Sequence, residues 1–246
     1  MGYYFEERKC KILIDKMRTL ATSAKWLFML CLPVLLITTS LGWAANSLCL
    51  YKYGFEKYGV SQTTGLPDSE LENIYAELIS YFNSDEEYIS ITVVKDGESF
   101  ELFNQREIIH LRDVKRLVQL DYGVLLGTLA YVLAYAGVCL FWKKRRYWRH
   151  LAWGLVGGSS ITLGLMLASA LGILFSFERL FWQFHVISFP NQFWLLDPTR
   201  DYLKMLFPDG FFYDATILCA AITAALAVIL GGVGGGYLIH ARRRLS

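Results

Sequence analysis

Four predominantly apolar stretches punctuate the chain: residues 26–45, 122–142, 151–177 and 215–239. Each approaches or exceeds the run of about 20 residues that a helix needs to cross hydrocarbon. None contains Asp, Glu, Lys or Arg. The pattern predicts four transmembrane helices. Pro33 lies inside the first and is expected to kink it. The third and fourth are rich in glycine: Gly154, Gly157, Gly158, Gly164 and Gly172, then Gly231, Gly232, Gly234, Gly235 and Gly236. No strand precedes them, so a phosphate-binding loop is not expected. Small residues inside spans predict close helix–helix packing instead.

Between the spans the periodicity changes. In residues 1–25, Ile12, Leu13, Met17 and Leu20 can form one face of a short amphipathic helix on the inner leaflet. Residues 46–121 read as an outer segment whose part from 67 onward is a small α+β module. Ser69 and Glu72 make a capping-box pattern, followed by Leu71, Ile74, Tyr75, Leu78, Ile79 and Phe82 at helical spacing. Residues 88–94 are strand-like. Lys95-Asp96-Gly97-Glu98 supplies a turn, and Ser99–Phe103 alternates as the returning strand. A lone hairpin is marginal, so it must pack on the helix or cap the membrane part. A third piece starts at Asn104 and continues helically towards the second span. Residues 178–214 carry eleven aromatic residues between Phe181 and Tyr213, interleaved with His185, Asn191, Asp197 and Asp201. Rings mixed with polar groups suit the lipid–water boundary. Asp197-Pro198 is expected to start a helix, with Pro in its first position.

The mean hydropathy of +0.35 and 54% hydrophobic content agree with an integral membrane protein. Charge then orients it. Residues 1–25, 143–150 and 240–246 hold 14 Lys/Arg against three acidic residues, and the segments 46–121 and 178–214 hold 10 against 19. The positive-inside rule therefore predicts cytoplasmic termini and two outward loops. The basic clusters sit at span ends, which gives no case for nucleic acid. The first apolar run is longer than a signal-peptide core, and its flank is partly acidic, so cleavage is not expected. Of Cys10, Cys31, Cys49, Cys139 and Cys219, only Cys49 is expected to face an oxidising space, and no internal disulfide is expected.

Candidate chemistry gathers on the two outer segments. His150 and His240 lie beside arginines at cytoplasmic span ends and read as flank residues. His110 and His185 lie on the outer side and can meet only through folding. Glu107, His110 and Asp113 are three apart and share a helical face, so either carboxylate can hold the His110 imidazole in one tautomer. His185 sits among rings that exclude water and strengthen local electrostatics. No Ser or Cys lies in a nucleophile-elbow pattern. Two histidines without a protein nucleophile suit a substrate that brings its own. A zinc site built from the same His110, Asp113, Glu107 and His185 competes, but HxxD is too common a spacing to be specific. No metal or other cofactor is expected.

Certain residues go further. Arg106-Glu107 with His110-Leu111 and Asp113-Val114 in the first outer segment, and Phe184-His185, Phe189, Asn191, Trp194, Leu196-Asp197-Pro198, Asp201, Leu206-Phe207-Pro208 and Phe211-Phe212 in the second, resemble the lipoprotein intramolecular transacylases (Lit) of Gram-positive bacteria. The resemblance implies a four-span enzyme of the bacterial cell membrane, acting on diacylglyceryl-modified lipoproteins among membrane lipids. It implies movement of the sn-2 acyl chain to the α-amine of the same cysteine, leaving a lyso-form product. His110 and His185 become the catalytic pair. On this reading His110, supported by Asp113 or Glu107, is the expected base, His185 assists, and Asn191, Trp194, Asp197, Phe184 and Phe189 line the substrate site. The rivals are a non-enzymatic accessory or sensor subunit and a lipid hydrolase using the same histidines.

Overall fold

The computed structural model describes residues 2–95, 97–141 and 145–243, with side chains from residue 16 onward apart from 145 and 146. Its elements in order are α1 (Gly2–Ala45), α2 (Leu48–Lys57), α3 (Val60–Thr64), α4 (Asp68–Phe82), β1 (Thr92–Lys95), β2 (Glu98–Glu101), α5 (Gln105–Phe141), α6 (Arg145–Ser188), α7 (Tyr202–Leu206) and α8 (Asp209–Arg243). Four of them, α1, α5, α6 and α8, contain stretches long and apolar enough to cross a membrane. The apolar runs therefore become helices as expected, but each helix extends beyond its run. Residues 2–25 do not form a separate amphipathic helix: α1 starts at Gly2 and continues through Pro33. The side chains of Cys10, Ile12 and Leu13, the turn residue Asp96 and most of the 143–146 basic cluster lie outside the described residues.

The chain divides into two units. One comprises Ile37–Val124 and Leu167–Ile222. Its core joins Leu71, Ile74, Tyr75 and Leu78 of α4 to Leu50, Tyr51 and Phe55 of α2, to Val93 of the hairpin, and to Leu203, Leu206, Phe207 and Phe211 further along. Tyr75 is the hub, 1% exposed. Its ring lies 5.4 Å from both Tyr51 and Phe207, and its hydroxyl donates to the Leu206 carbonyl at 2.8 Å. The hairpin pairs antiparallel, Thr92 with Glu101 through Lys95 with Glu98, around Gly97 at φ 86°. Only glycine enters that conformation at little cost. Ile89, Ile91, Leu102 and Phe103, flanking the strands, enter the same core, so the hairpin does pack on the preceding helix.

The other unit contains the remaining described residues. Here the glycine reading holds for part of the set. A Cβ at Gly158 would approach Leu32 to 2.8 Å, and one at Gly234 would approach the Ala152 carbonyl to 2.8 Å. Gly164, Gly232, Gly235 and Gly236 meet nothing within 4 Å and are not packing glycines.

Several boundaries differ from the sequence reading. Helix α4 begins at Asp68 behind Pro67, so Ser69 lies inside the helix and is not its cap. The first strand starts later than expected, at Thr92, and ends at Lys95, although the Leu102 N–H still bonds the Ile91 carbonyl at 2.9 Å. Helices α2 and α3 fill 48–64, where no element was expected. Ser47 caps α2 by accepting from the Leu50 N–H. The four described cysteines, Cys31, Cys49, Cys139 and Cys219, are free thiols.

Truncating the hub tests this core. Tyr75→Ala is expected to lose about 3–5 kcal/mol, as for other large-to-small aromatic deletions. Tyr75→Phe loses only about 1 kcal/mol, for one buried hydrogen bond. Thermal and denaturant unfolding of the purified protein in detergent checks both.

Candidate active site

Asn104 starts the helix that carries the first histidine. Its side-chain oxygen accepts from the backbone N–H groups of Arg106 and Glu107, at 3.0 and 3.2 Å. The Glu107 carboxylate returns the favour by accepting from the Asn104 N–H at 2.8 Å. This is a reciprocal capping box written N-x-x-E. One turn later comes His110. Glu107, His110 and Asp113 share a face as expected, and all three are buried, at 1%, 7% and 8% exposure.

The second histidine arrives by a different device. Helix α6 is broken at Ser176, whose φ of −171° and ψ of 89° are extended. The Ser176 hydroxyl then accepts from the Arg179 N–H at 3.4 Å, as the cap of a new helical segment. The fold-back is tight: a Cβ at Gly172 would lie 3.2 Å from Leu180. In an unbroken helix those positions are about 12 Å apart along the axis. The first third of the expected outer loop is thus helix, and it delivers Phe181, Phe184 and His185.

Four hydrogen bonds clip the two segments together. The second oxygen of Glu107 accepts from the Leu203 N–H at 2.7 Å. Asn104 donates to Asp201 at 3.0 Å, Arg106 donates to the Leu195 carbonyl at 2.9 Å, and Asn191 donates to Asp113 at 2.7 Å. The imidazole centroids of His110 and His185 come to 6.1 Å, with no hydrogen bond between the rings. Phe189, 5% exposed, packs against both, at 4.9 Å from His110 and 5.5 Å from His185. Phe181, Trp194 and Phe184 surround His185 at 4.4, 5.0 and 5.4 Å.

The two rings are held differently. His185 Nδ1 lies 2.8 Å from the Phe181 carbonyl, an acceptor only, so Nδ1 carries the hydrogen and Nε2 of the neutral ring keeps its lone pair. The Nδ1 of His110 is buried with no partner. Burial, then the neighbouring His185, pushes the His110 pKa down to about 4, against a smaller upward pull from Asp113. Burial also lowers that of His185, opposed by its bond to the Phe181 carbonyl. Both groups lie outside the apolar spans, ahead of residue 122 and beyond the break at Ser176.

The carboxylates do not play the part expected of them. Neither Glu107 nor Asp113 bonds the His110 ring. Both Glu107 oxygens are taken by backbone N–H groups. Asp113 holds Asn191 and lies 3.7 and 3.8 Å from Arg112 and Arg116. Burial raises the Glu107 pKa, with the two N–H bonds pulling the other way. Asp197 closes its own turn onto Thr199 and Arg200 and reaches neither imidazole. No helix starts at Pro198; α7 begins at Tyr202. Asp201, 4% exposed, accepts from Asn104 and from the Asp197 N–H. Phe184, Phe189 and Trp194 do meet around His185. The site roles of Asn104, Ser176 and Phe181 were not expected from the sequence, although the N-x-x-E pattern at Asn104 was there to be read. Among the described residues, no group of three or more His, Cys, Asp or Glu side chains is placed to hold a metal ion.

Comparison with known proteins follows the same lines. No curated protein matches the chain. Solved structures similar to it include the membrane integral lipoprotein intramolecular transacylase Lit from Bacillus cereus, at TM-score 0.75 and 19% identity over 93% of this chain and 99% of that one. A histidine-to-arginine variant of that protein gives TM-score 0.74 at 17% identity, over 96% and 99%. Identities this low speak for a shared fold. The family model described as lipoprotein intramolecular transacylase Lit matches residues 26–212, most of the chain, and the protein accordingly belongs to this family of membrane-integral acyltransferases.

Proposed function

We propose that this transacylase moves the sn-2 acyl chain of a diacylglyceryl-cysteine lipoprotein to the α-amine of that cysteine, using His185 as the base and His110 as a neutral hydrogen-bond donor. The observation that carries the reading is the meeting of two neutral imidazoles from separate segments, 6.1 Å apart, with no Ser, Thr or Cys side chain among the described residues bonded to either. Such a pair suits a reaction whose nucleophile belongs to the substrate.

The steps follow from the rings' surroundings. The amine attacks the ester carbonyl carbon, and His185 Nε2 takes the proton the nitrogen sheds. The carbonyl oxygen becomes an oxyanion, and the unpartnered Nδ1 of His110, as an N–H, donates to it. Collapse breaks the bond to the glycerol oxygen, which recovers the proton from His185. An amide and a free glycerol hydroxyl result. Amine and ester lie on one molecule, so no second reactant has to be brought in. The division of labour is the reverse of the one expected from sequence. The reason is local: His185 has a fixed tautomer with a free lone pair, and the buried Nδ1 of His110 has no partner. Glu107 and Asp113 are positioning residues, and Phe184, Phe189 and Trp194 wall the reacting groups from water, which would otherwise give a deacylated lipid. Asn191 serves the same site by holding Asp113. Asp197 retains only a shaping role in its turn. The charge asymmetry of the flanks supports cytoplasmic termini and a site on the outer side.

Three outcomes are expected. In cells making only diacyl lipoproteins, this chain yields N-acyl lyso-form peptides by mass spectrometry. His185→Ala lowers conversion by about 10²–10⁴-fold and His110→Ala by about 10²–10³-fold. A free lyso-lipid end without N-acylation points to hydrolysis instead, and no change points to a binding subunit.

The pH profile separates substrate from enzyme. The α-amine titrates near about 8 and must be unprotonated to attack. Both imidazoles have lowered values and must also be unprotonated, so they are ready well above them. The rate is expected to fall with a single proton as pH drops from about 8, and to steepen only below the ordinary histidine value of 6.5. An enzyme group titrating at or above 6.5 would contradict the assignment.

Glu107→Ala leaves the Asn104 and Leu203 N–H groups without their acceptor. A buried donor left unpaired costs about 1–3 kcal/mol. Unfolding measurements should show a loss of that size or more, with the residual folded fraction retaining the pH profile of the parent.

A further inference from the structure

His185 lacks what a proton-shuttling histidine usually has, a carboxylate to steady its cation. No Asp or Glu forms an ion pair with it among the described residues. Of the charged groups that act on it, Lys204 opposes its protonation and Asp209 favours it, and these two are paired with each other. His110, on α5, is neutral through the working range. Among the described residues, the one polar contact of the ring is Nδ1–H to the Phe181 carbonyl. What surrounds His185 instead is four aromatic rings: Phe181, Trp194, Phe184 and Phe189, all with centroids within 5.5 Å of its own.

We propose that this ring box, with Trp194 as its chief member, stabilises the imidazolium that His185 becomes when it takes the substrate's proton, in place of a carboxylate. The face of an aromatic ring carries negative potential, and a cation within about 6 Å of its centroid is attracted, most strongly by tryptophan. All four rings satisfy that distance. Trp194 is also tilted only 38° from the imidazole plane, whereas Phe181 and Phe184 stand at 77° and 86°. The indole is therefore the ring closest to parallel with the imidazole of the four. Trp182, 6.4 Å from Trp194, buttresses it from the same helical segment as His185.

The arrangement has a chemical logic. A carboxylate beside His185 would compete for the substrate's ammonium and would raise the histidine's basicity so far that it returned the proton reluctantly. Rings favour the cation more weakly and cannot accept the proton. The base can then load from the attacking amine and unload onto the glycerol oxygen within one turnover. Trp194 acts through His185 and is a positioning residue.

This inference rests on His185 as the base, and one experiment separates the two. Tryptophan at position 194 is replaced by its mono-, di-, tri- and tetrafluoro analogues, which keep the shape while draining the π face. The His185 titration is followed by NMR on histidine-labelled protein in detergent, its signal assigned by its loss in His185→Gln. The expected result is a stepwise fall in the His185 pKa totalling about one unit across the series. Acyl transfer is expected to fall in parallel, with KM unchanged. Trp194→Leu should reproduce the end of the series, and the fluorinated proteins stand in for it if that variant does not fold. A His185 titration that stays constant across the series overturns the proposal. A titration that moves while transfer at saturating substrate does not overturns the base assignment and leaves the ring effect in place.

Discussion

A single buried carboxylate holds the site in register. Glu107 is 1% exposed, which an ionisable group tolerates only when its hydrogen-bonding capacity is met. Its two oxygens accept from the Asn104 and Leu203 N–H groups, each at the N-terminal end of a helix where the backbone presents unpaired donors. The same side chain therefore finishes α5 and ties it to a segment 96 residues away. The bonds from Asn104 to Asp201, Arg106 to Leu195 and Asn191 to Asp113 extend the seam. His110 stands one turn from Glu107 along a rigid helix. Its distance from His185 is set by this seam and by their shared contact with Phe189.

Desolvation then decides the chemistry available. Burial keeps both imidazoles neutral, one because its pKa is pushed to about 4 and the other because burial outweighs its bond to a carbonyl. A neutral pair can abstract one proton and donate one hydrogen bond, and that is the minimum an acyl transfer to an amine requires. The unpartnered Nδ1 of His110 is costly in the resting protein. Such a cost is consistent with a group whose partner is the substrate, in particular an oxygen that becomes negative only during reaction. The carboxylates that sequence alone offers as chemical participants are instead consumed by backbone and amide donors, because those donors are closer and need burying too.

What the sequence disclosed follows from which forces are local. The four apolar runs were legible because hydrophobic length is a property of the run itself. The hairpin was legible from Asp96-Gly97, and α4 from the spacing of Leu71, Ile74, Tyr75 and Leu78, although its cap was misplaced by two residues. Glu107, His110 and Asp113 were placed on one face by helical spacing, and that held. Their partners were not legible. That Glu107 would bond Leu203, or Asp113 would bond Asn191, depends on contacts across 96 and 78 residues. The proline at 198 promised a helix that Asp197 pre-empted by closing a turn on Thr199. Ser176 hid inside a predominantly apolar run that also holds Ser159, Ser160 and Ser169, so a serine alone did not mark the end of a helix.

That serine explains how a long membrane helix can serve a site at all. Carried on unbroken from 151 to 188, the helix would run for about 57 Å, nearly twice the hydrocarbon thickness. His185 would then stand about 13 Å beyond residue 176 along the axis, in line with the span. The extended conformation at Ser176 turns the chain, and its hydroxyl meets the new helix's unpaired N–H. Leu180 is thereby laid against Gly172, a position where a side chain would crowd it. In the segment that follows, Phe181 and His185 are half-buried, while Trp182, Val186 and Ile187 are exposed. With His185 carried on a helix, its Nδ1 finds the carbonyl four residues back without any side-chain partner. The tautomer of the proposed base is thus fixed by helix geometry alone, which leaves every neighbouring side chain free to be an aromatic ring.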